Sequence, residues 1–487
     1  MGCYLSSDSL GYDVVRLVSA SEACWHRGVR RLAPILLVFV GASPGCSEEE
    51  VMPVTPWRTG TAFRTHDGPN ARGFVDVRGL IHAHSVYSHD ACDGEPVKDG
   101  VRDQACFDDF RRGLCIAKHD FVMLSDHDTY FSETPFEEAL LHRAERGDVF
   151  IERDGQKVAS WASCPTGERA LVLAGFESGT LSVGLSKHLD EGAARSALYD
   201  SREPAAIERL KREADAVVLL QHTEDYSSDT LSDLPIDGFE MYNLHANTLR
   251  SAGQVLELIV ITSDRPAELP ASDLIALPLL GEDPRYLERW GTVLARGHRR
   301  VGTMGTDCHQ NVFQGKLPDG ERGDSYRRMM MWLSNHLLVR RSDKNFDDRD
   351  LKEALRAGRN YGAFEVMGYP VGFDFHAERD GEVFEMGEEL SAGPVDLVMK
   401  MPEVQALDPS RTPPTKLARI LRAIDGGFEE IARGDGDLRV TVTSTGAYRA
   451  EVRMIPHHLK EDFGIYFKPS LVDKEMVWIY ANPIYLR

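Results

Sequence analysis

The sequence predicts an α/β protein, and three observations point there. Short apolar runs alternate with longer amphipathic stretches between about residues 74 and 370; those runs repeatedly end in imidazole or carboxylate side chains; and from about Val371 the texture becomes strand-like with turn residues between. Strands alternating with helices argue for a parallel sheet, closed as a barrel or open. In order, "FVDVRGLIHAH" reads as a strand, "VRDQACFDDFRRGLCIAKH" as a helix, and "FVMLSDHD" and "ALVLAGFE" as strands. "EPAAIERLKREADA" is a helix introduced by acidic residues and Pro, and "VVLLQH" and "IDGFEMYN" are strands. "DPRYLERWGTVLARG" is a helix, "RRVGTMGTDCH" a strand and "DRDLKEALRAGRNYG" a helix. Residues 248–283 break the rhythm with a Pro-studded, mixed composition and are expected to form an insertion near the mouth of the sheet. Over 371–487, "GFDFHAERDGEVFEMGEEL", "VDLVMKM", "DLRVTVTSTGAYRAEVRM" and "MVWIYANPIYL" predict a small antiparallel β-sandwich domain. "LARILRAIDGGFEEIARGDGDL" fits either a helix or a hairpin.

The 487 residues carry a formal charge of −21 with no tract of clustered Lys and Arg, which excludes a protein that neutralises a nucleic-acid polymer over a large surface. Near the N-terminus, Arg30 and Arg31 precede an apolar run from Leu32 to Val40, then small residues and Cys46, the order of a secretory signal. The run is too short to span a bilayer as a mature helix. Cys46 after Ser43, Pro44 and Gly45 resembles a bacterial lipobox, so residues 1–46 are expected to be a leader, Cys46 a lipidation site and 47–73 a linker. Residues 1–28 have no evident role, and a start near Val29 gives a leader of ordinary length. The expected location is the cell envelope, lipid-anchored; Ser47 in place of aspartate points to the outer membrane facing the periplasm in a Gram-negative cell. Beyond Cys46 stand Cys92, Cys106, Cys115, Cys164 and Cys308. An odd number leaves at least one thiol free, and the first four can supply one or two disulfides.

Metal-competent residues recur at the predicted strand ends. His82 and His84 are two apart, which places both imidazoles on one face of a strand. "MLSDHD" supplies Asp126 and His127, "LAGFE" Glu177, "VVLLQH" His222, and "GTMGTDCH" Asp307 and His309, with Cys308 on the opposite face and packed. In parallel barrels the C-terminal strand ends converge, so these groups are expected in one mouth. Without a shared cation, several buried ionisable groups would lack partners, at several kcal/mol each.

These ordered motifs, from about Arg78 to His309, resemble the PHP (polymerase and histidinol phosphatase) superfamily of metal-dependent hydrolases. The resemblance implies a distorted (β/α)7 barrel over 74–370 with two or three metals at its mouth. It places His82, His84, His127, Glu177 as a bridging carboxylate, His222, Asp307 and His309 among the ligands, with His188 in "GLSKHL" as a further one. The third ligand of the opening motif is either His89 or Asp90, and "SHDA" favours Asp90. "LIHAHSVYSHDA", "LKEALRAGRNYGAF" and the closing "WIYANPIYLR" are similar to the CehA/McbA-like branch, which contains carbamate and amide ester hydrolases.

Mixed His, Asp and Glu ligation suits Mn²⁺, Fe²⁺ or Zn²⁺. Two or three such ions would activate water, with Glu177, His222, Asp307 and His309 at the centre of catalysis. Glu240 and Asn243 are candidates for touching substrate or orienting a ligand, and His245 for delivering a proton to the leaving group. The expected function is hydrolysis of a small-molecule phosphoester. A carboxylic ester, carbamate or amide is the alternative for the same machinery, and a non-catalytic surface binding protein is the alternative from another class.

Overall fold

The computed structural model describes residues 56–463 and 469–487. Val29, Cys46 and the leader lie outside them, and among the described residues no helix is long and apolar enough to cross a membrane.

The first strand, β1 (Val75–Ala83), is buried almost throughout. It is followed by α1 (Gln104–Ile116), whose first turn is capped by Asp103 accepting from the Cys106 amide at 3.0 Å. Then come β2 (Phe121–Met123), β3 (Asp126–His127), β4 (Arg169–Leu173), β5 (Phe176–Glu177) and β6 (Leu181–Val183). Helix α2 (Pro204–Glu213) starts with Pro at its first position, where no amide hydrogen is needed, and leads to β7 (Val217–Leu220) and β8 (Gly238–Asn243). The segment expected as an insertion folds into α3 (Leu244–Arg250), α4 (Ala252–Asp264) and short 3-10 turns, before α5 (Pro284–Ala295) and β9 (Val301–Cys308).

β1 pairs in parallel with β2 on one side and β9 on the other. β2 pairs with β4 and β3 with β5, both parallel. β6 pairs antiparallel with β5 and β7, and β7–β8 and β8–β9 are parallel. The pairings therefore run from β1 through β2/β3, β4/β5, β6, β7 and β8 to β9 and return to β1. The departure from an all-parallel sheet has a local cause: only residues 178–180 separate β5 from β6, which suffices for a hairpin but not for a crossover. Close approach of β1 and β2 requires glycine, since a Cβ on Gly79 would lie 2.3 Å from the Phe121 carbonyl oxygen.

The sheet continues beyond this circuit. β10 (Ser334–Val339) runs antiparallel to β1, and α6 (Asp348–Ala357) opens with a capping box between Asp347 and Asp350 and closes on Gly358 at φ 76°. β11 (Asn360–Ala363) pairs with β10 and with residues 476–481, so the β-rich C-terminal region joins the same mixed sheet. A separate antiparallel sheet holds residues 374–379, 382–385, 395–400 and 438–442. The ambiguous segment is a hairpin: Thr415–Ile424 pairs with Gly427–Gly434 across Asp425 and Gly426, the latter at φ 84°. The observed class is thus mixed α/β, with a large mixed sheet and smaller antiparallel ones.

Cys92 is bonded to Cys106 and Cys115 to Cys164, tying α1 to the loop after β1 and to the end of the hairpin Val149–Arg153/Gln156–Ser163; Cys308 is free and buried.

Candidate metal centre

The predicted strand-end residues converge, and the backbone bends to bring them together. His82, His222 and Asp307 all adopt the left-handed region, at φ 76°, 48° and 55°. Non-glycine residues rarely sit there, and each costs on the order of 1–3 kcal/mol unless the surroundings enforce it. At His82 the register of β1 against β9 slips, from Ile81↔Gly305 to Ala83↔Cys308. A bulge of this kind re-aims side chains at a strand end, and here the rings of His82 and His84 lie 5.2 Å apart.

The centre is built on two buried carboxylates, each using both oxygens. Glu177 Oε2 lies 3.0 Å from His82 Nε2 and 3.2 Å from His84 Nε2, whereas its Oε1 is 3.2 Å from His222 Nε2. Asp307 Oδ1 is 3.2 Å from His82 Nε2, 3.1 Å from His84 Nε2 and 3.3 Å from His309 Nδ1. Its Oδ2 faces His222 Nε2 at 3.6 Å and His245 Nδ1 at 3.5 Å. Next to this group, Asp90 Oδ2 receives His309 Nε2 at 2.9 Å and His127 Nε2 at 3.3 Å. Two four-residue sets result, His82/His84/Glu177/Asp307 and His84/Asp90/His127/His309, with His245/Asp307/His309 adjoining.

A divalent ion fits these donors. Four atoms placed around an ion at roughly 2.0–2.2 Å stand about 3.3–3.6 Å apart, near the spacings observed. His84 Nε2, Asp307 Oδ1 and His309 Nε2 are buried and have no hydrogen-bond partner among the described residues, although opposing atoms lie within about 3 Å. Close but misaligned lone pairs are expected of groups aimed at a shared cation.

The electrostatics reflect the crowding. Burial opposes charge on His82, yet Asp307, Glu240 and Glu177 raise its pKa well above the ordinary imidazole value. Burial likewise works against His222 and His127, which their carboxylate neighbours nonetheless raise to about 11 and about 9. His84, buried and stacked on His309 with ring centres 3.8 Å apart, is lowered. Glu177 and Asp307 are held well below the usual carboxylate range by the imidazoles despite burial.

Around these donors stands a layer of orienting groups. Glu240 accepts from His82 Nδ1 at 2.6 Å, from the His222 amide at 3.1 Å and from Asn243 Nδ2 at 3.0 Å. A carboxylate can only accept here, so Glu240 holds the Nδ1 proton of His82 and leaves Nε2 facing the centre, where a bound cation would take the place of the proton shared with Glu177 Oε2. Gly305 leaves the room for this contact, since a Cβ there would lie 2.0 Å from Glu240 Oε1. Asn243 also donates to Asp307 Oδ2 at 3.3 Å and caps α3 by accepting from the Ala246 amide. Asp126 accepts from the amide and hydroxyl of Ser85, the residue after His84, and burial raises its pKa to about 7.

The structure brings together some of the expected residues and not others. Asp90 joins the donors, whereas His89 is exposed, its ring 5.0 Å from that of His127 and outside the donor sets. His188 is a correction. Its Nδ1 pairs with Tyr199 Oη at 2.8 Å and its Nε2 donates to the Thr134 carbonyl at 2.9 Å, so neither nitrogen is left for a metal. Burial lowers its pKa to about 4, the state of a neutral packing histidine between Phe131 and Phe136.

Three contributors were missed in the sequence. Ser88 donates to Asp90 Oδ1 at 2.7 Å, accepts from the His127 amide at 3.1 Å and contacts His84 Nδ1 at 3.1 Å. Its place inside "HSVYSHD" was the available signal. Glu224 faces His222 Nδ1 at 3.4 Å, and Tyr326 donates to the carbonyls of His84 and His309 at 2.9 and 3.1 Å. No local pattern marks Tyr326. Comparison with protein-family models, with curated proteins and with solved structures finds no match to this chain.

Proposed function

We propose that this protein is a metal-dependent hydrolase with two adjacent divalent-ion positions that meet at His84. The observation that carries the reading is the convergence of buried, hydrogen-bond-less donor atoms of His84, Asp307 and His309 on one point of the fold. The circuit of strand pairings supports reading residues 74–370 as a distorted barrel with this centre at its mouth.

His82, His84, Glu177 and Asp307 would hold one ion, and Asp90, His127 and His309 a second, with His222 on the free oxygen of Glu177. Bound there, Mn²⁺, Fe²⁺ or Zn²⁺ supplies a water acidified toward neutrality and polarisation of the scissile carbonyl or phosphoryl group. Glu240, Asn243 and Ser88 fix the donors before substrate arrives, which lowers the reorganisation needed in the transition state. His245 is partly exposed, borders the cavity beside the centre and stands 3.5 Å from Asp307, in position to pass a proton to the leaving group. Phosphoesters and carboxylic esters, carbamates or amides are both within this chemistry. A lipid anchor at Cys46 and an envelope location belong to the same reading.

The test is metal content by plasma mass spectrometry on the full chain, followed by hydrolysis of aryl phosphate mono- and diesters and of aryl carboxylic and carbamate esters. The expected result is about two ions per chain and turnover in one substrate series, both lost in His309→Ala. A natively folded chain that retains no divalent ion after loading would refute it.

A further inference from the structure

Beside the centre lies a cavity of about 100 Å³ whose wall includes Asp307, His309 and His245. Half of its apolar wall comes from the 248–283 segment, Val255 and Leu258 of α4, then Ile275, Ala276 and Leu279, faced by Phe313, Met329 and Trp332 among others. Among the described residues that line it, none is Lys or Arg. The polar ones are mostly turned to other partners. Asp324 accepts from the amides of Val312 and Phe313 at 2.8 and 2.7 Å, Gln310 donates to Asp109 at 2.6 Å, and Thr248 donates to the Leu244 carbonyl at 2.8 Å. Outside the metal donors there are two exceptions: Thr306, whose buried hydroxyl lines the cavity next to Asp307 and has no partner among the described residues, and Asn311, whose Nδ2 donates to the Asp90 carbonyl while its Oδ1 likewise has none.

A wall of this kind gains nothing from a charged group and favours apolar surface. An apolar cavity of roughly 150 Å³ takes up benzene, so this one suits a group of about four or five carbon atoms. We infer that the cavity is a subsite for an uncharged, apolar substituent of the substrate, held next to the scissile bond, with Thr306 contacting a polar atom at the junction. The substrate class is then an ester or amide bearing a short aliphatic or small ring substituent. Leu258, Ala276 and Leu279 set its length. This inference rests on the hydrolase reading for the position of the bond, but not for the presence of the subsite.

Two measurements separate the two readings. Xenon NMR on the full chain reports the cavity without any turnover: a saturable shift is expected in the wild type and should be lost in Ala276→Phe, which fills the space. Should that variant not fold, Leu279→Ala, which enlarges the cavity, is expected to bind xenon more tightly. The second measurement uses p-nitrophenyl alkanoates and alkyl p-nitrophenyl phosphodiesters of increasing chain length on the metal-loaded protein. In whichever series is hydrolysed, kcat/KM should rise about fourfold per methylene to roughly four or five carbons and then level off. Leu279→Ala should move that break to longer chains. A xenon shift identical in wild type and Ala276→Phe, or a flat chain-length profile, overturns the subsite. Xenon binding in a chain that holds metal but hydrolyses neither series upholds the cavity and sinks the hydrolase.

Discussion

Glu240→Gln isolates the orientation of one ligand from the identity of the donors. Glu240 is fully buried and accepts three hydrogen bonds, from His82 Nδ1, the His222 amide and Asn243 Nδ2. The amide of Gln has the same shape but a single acceptor oxygen. With that oxygen on His82, the new NH2 confronts the His222 amide and Asn243; flipped, it forces His82 to carry its proton on Nε2, toward Glu177 and Asp307. The first placement loses two charge-assisted hydrogen bonds and the flipped one only that to His82, so the less costly, flipped placement sets the loss at about 1.5–3 kcal/mol. Loss of a group that orients a metal ligand lowers affinity about 10- to 100-fold, or about 1.4–2.7 kcal/mol, which agrees with that range. The assay is competition for Zn²⁺ against a chromophoric chelator, with near-ultraviolet circular dichroism to verify packing. Glu365→Gln is the control, because Glu365 pairs with Arg78 in a buried network that contributes no donor to the centre. It should lower stability and leave affinity unchanged. Zinc affinity of Glu240→Gln within twofold of the wild type, in a natively packed chain, would refute the orienting role.

Other consequences are equally direct. His188→Gln should keep the wild-type metal-to-protein ratio by mass spectrometry while lowering the urea midpoint, because the ring makes structural hydrogen bonds only. Replacing both Cys92 and Cys106 by Ser should cost about 3 kcal/mol in denaturant unfolding, as expected for a short closed loop, and should weaken metal retention at the Asp90 position. His336 gives a pH signature. Although burial opposes its charge, Asp76 and Glu365 raise it to about 9 from 6.5, so its stabilisation is complete below about pH 6.5 and is lost as pH rises through about 9. On the order of 3 kcal/mol is at stake, and His336→Gln should flatten the fall of the urea midpoint over that window.

The centre was readable because strand-end donors depend on chain order and a two-residue period, both local properties. His82, His84, Asp307 and His309 met as expected, yet the left-handed backbone at His82 and Asp307 was invisible, since it arises from the slip of β1 against β9. His188 misled because its partners, Tyr199 and the Thr134 carbonyl, come from segments whose proximity no local pattern declares. Asp90 and not His89 lies among the converging groups, and the Ser88 hydroxyl that donates to Asp90 is a contact the spacing alone does not declare. In the C-terminal region, "LARILRAI" carries helix-compatible residues, and only pairing with Gly427–Gly434 and with residues 446–455 selects the strand. The antiparallel β6 followed from a connection length, a signal present in the sequence but read as one continuous strand-to-helix rhythm.

The bond between Cys92 and Cys106 also acts as a tether. The Cys92 amide donates to the His309 carbonyl at 3.1 Å, and Asp90 lies two residues before it. Joined to Cys106 near the start of α1, the loop that carries Asp90 is held from the helix as well as from β1. Asp90 therefore reaches His127 and His309 from a segment fastened at both ends, and a covalent bond on the far side of the loop limits how far one carboxylate can wander.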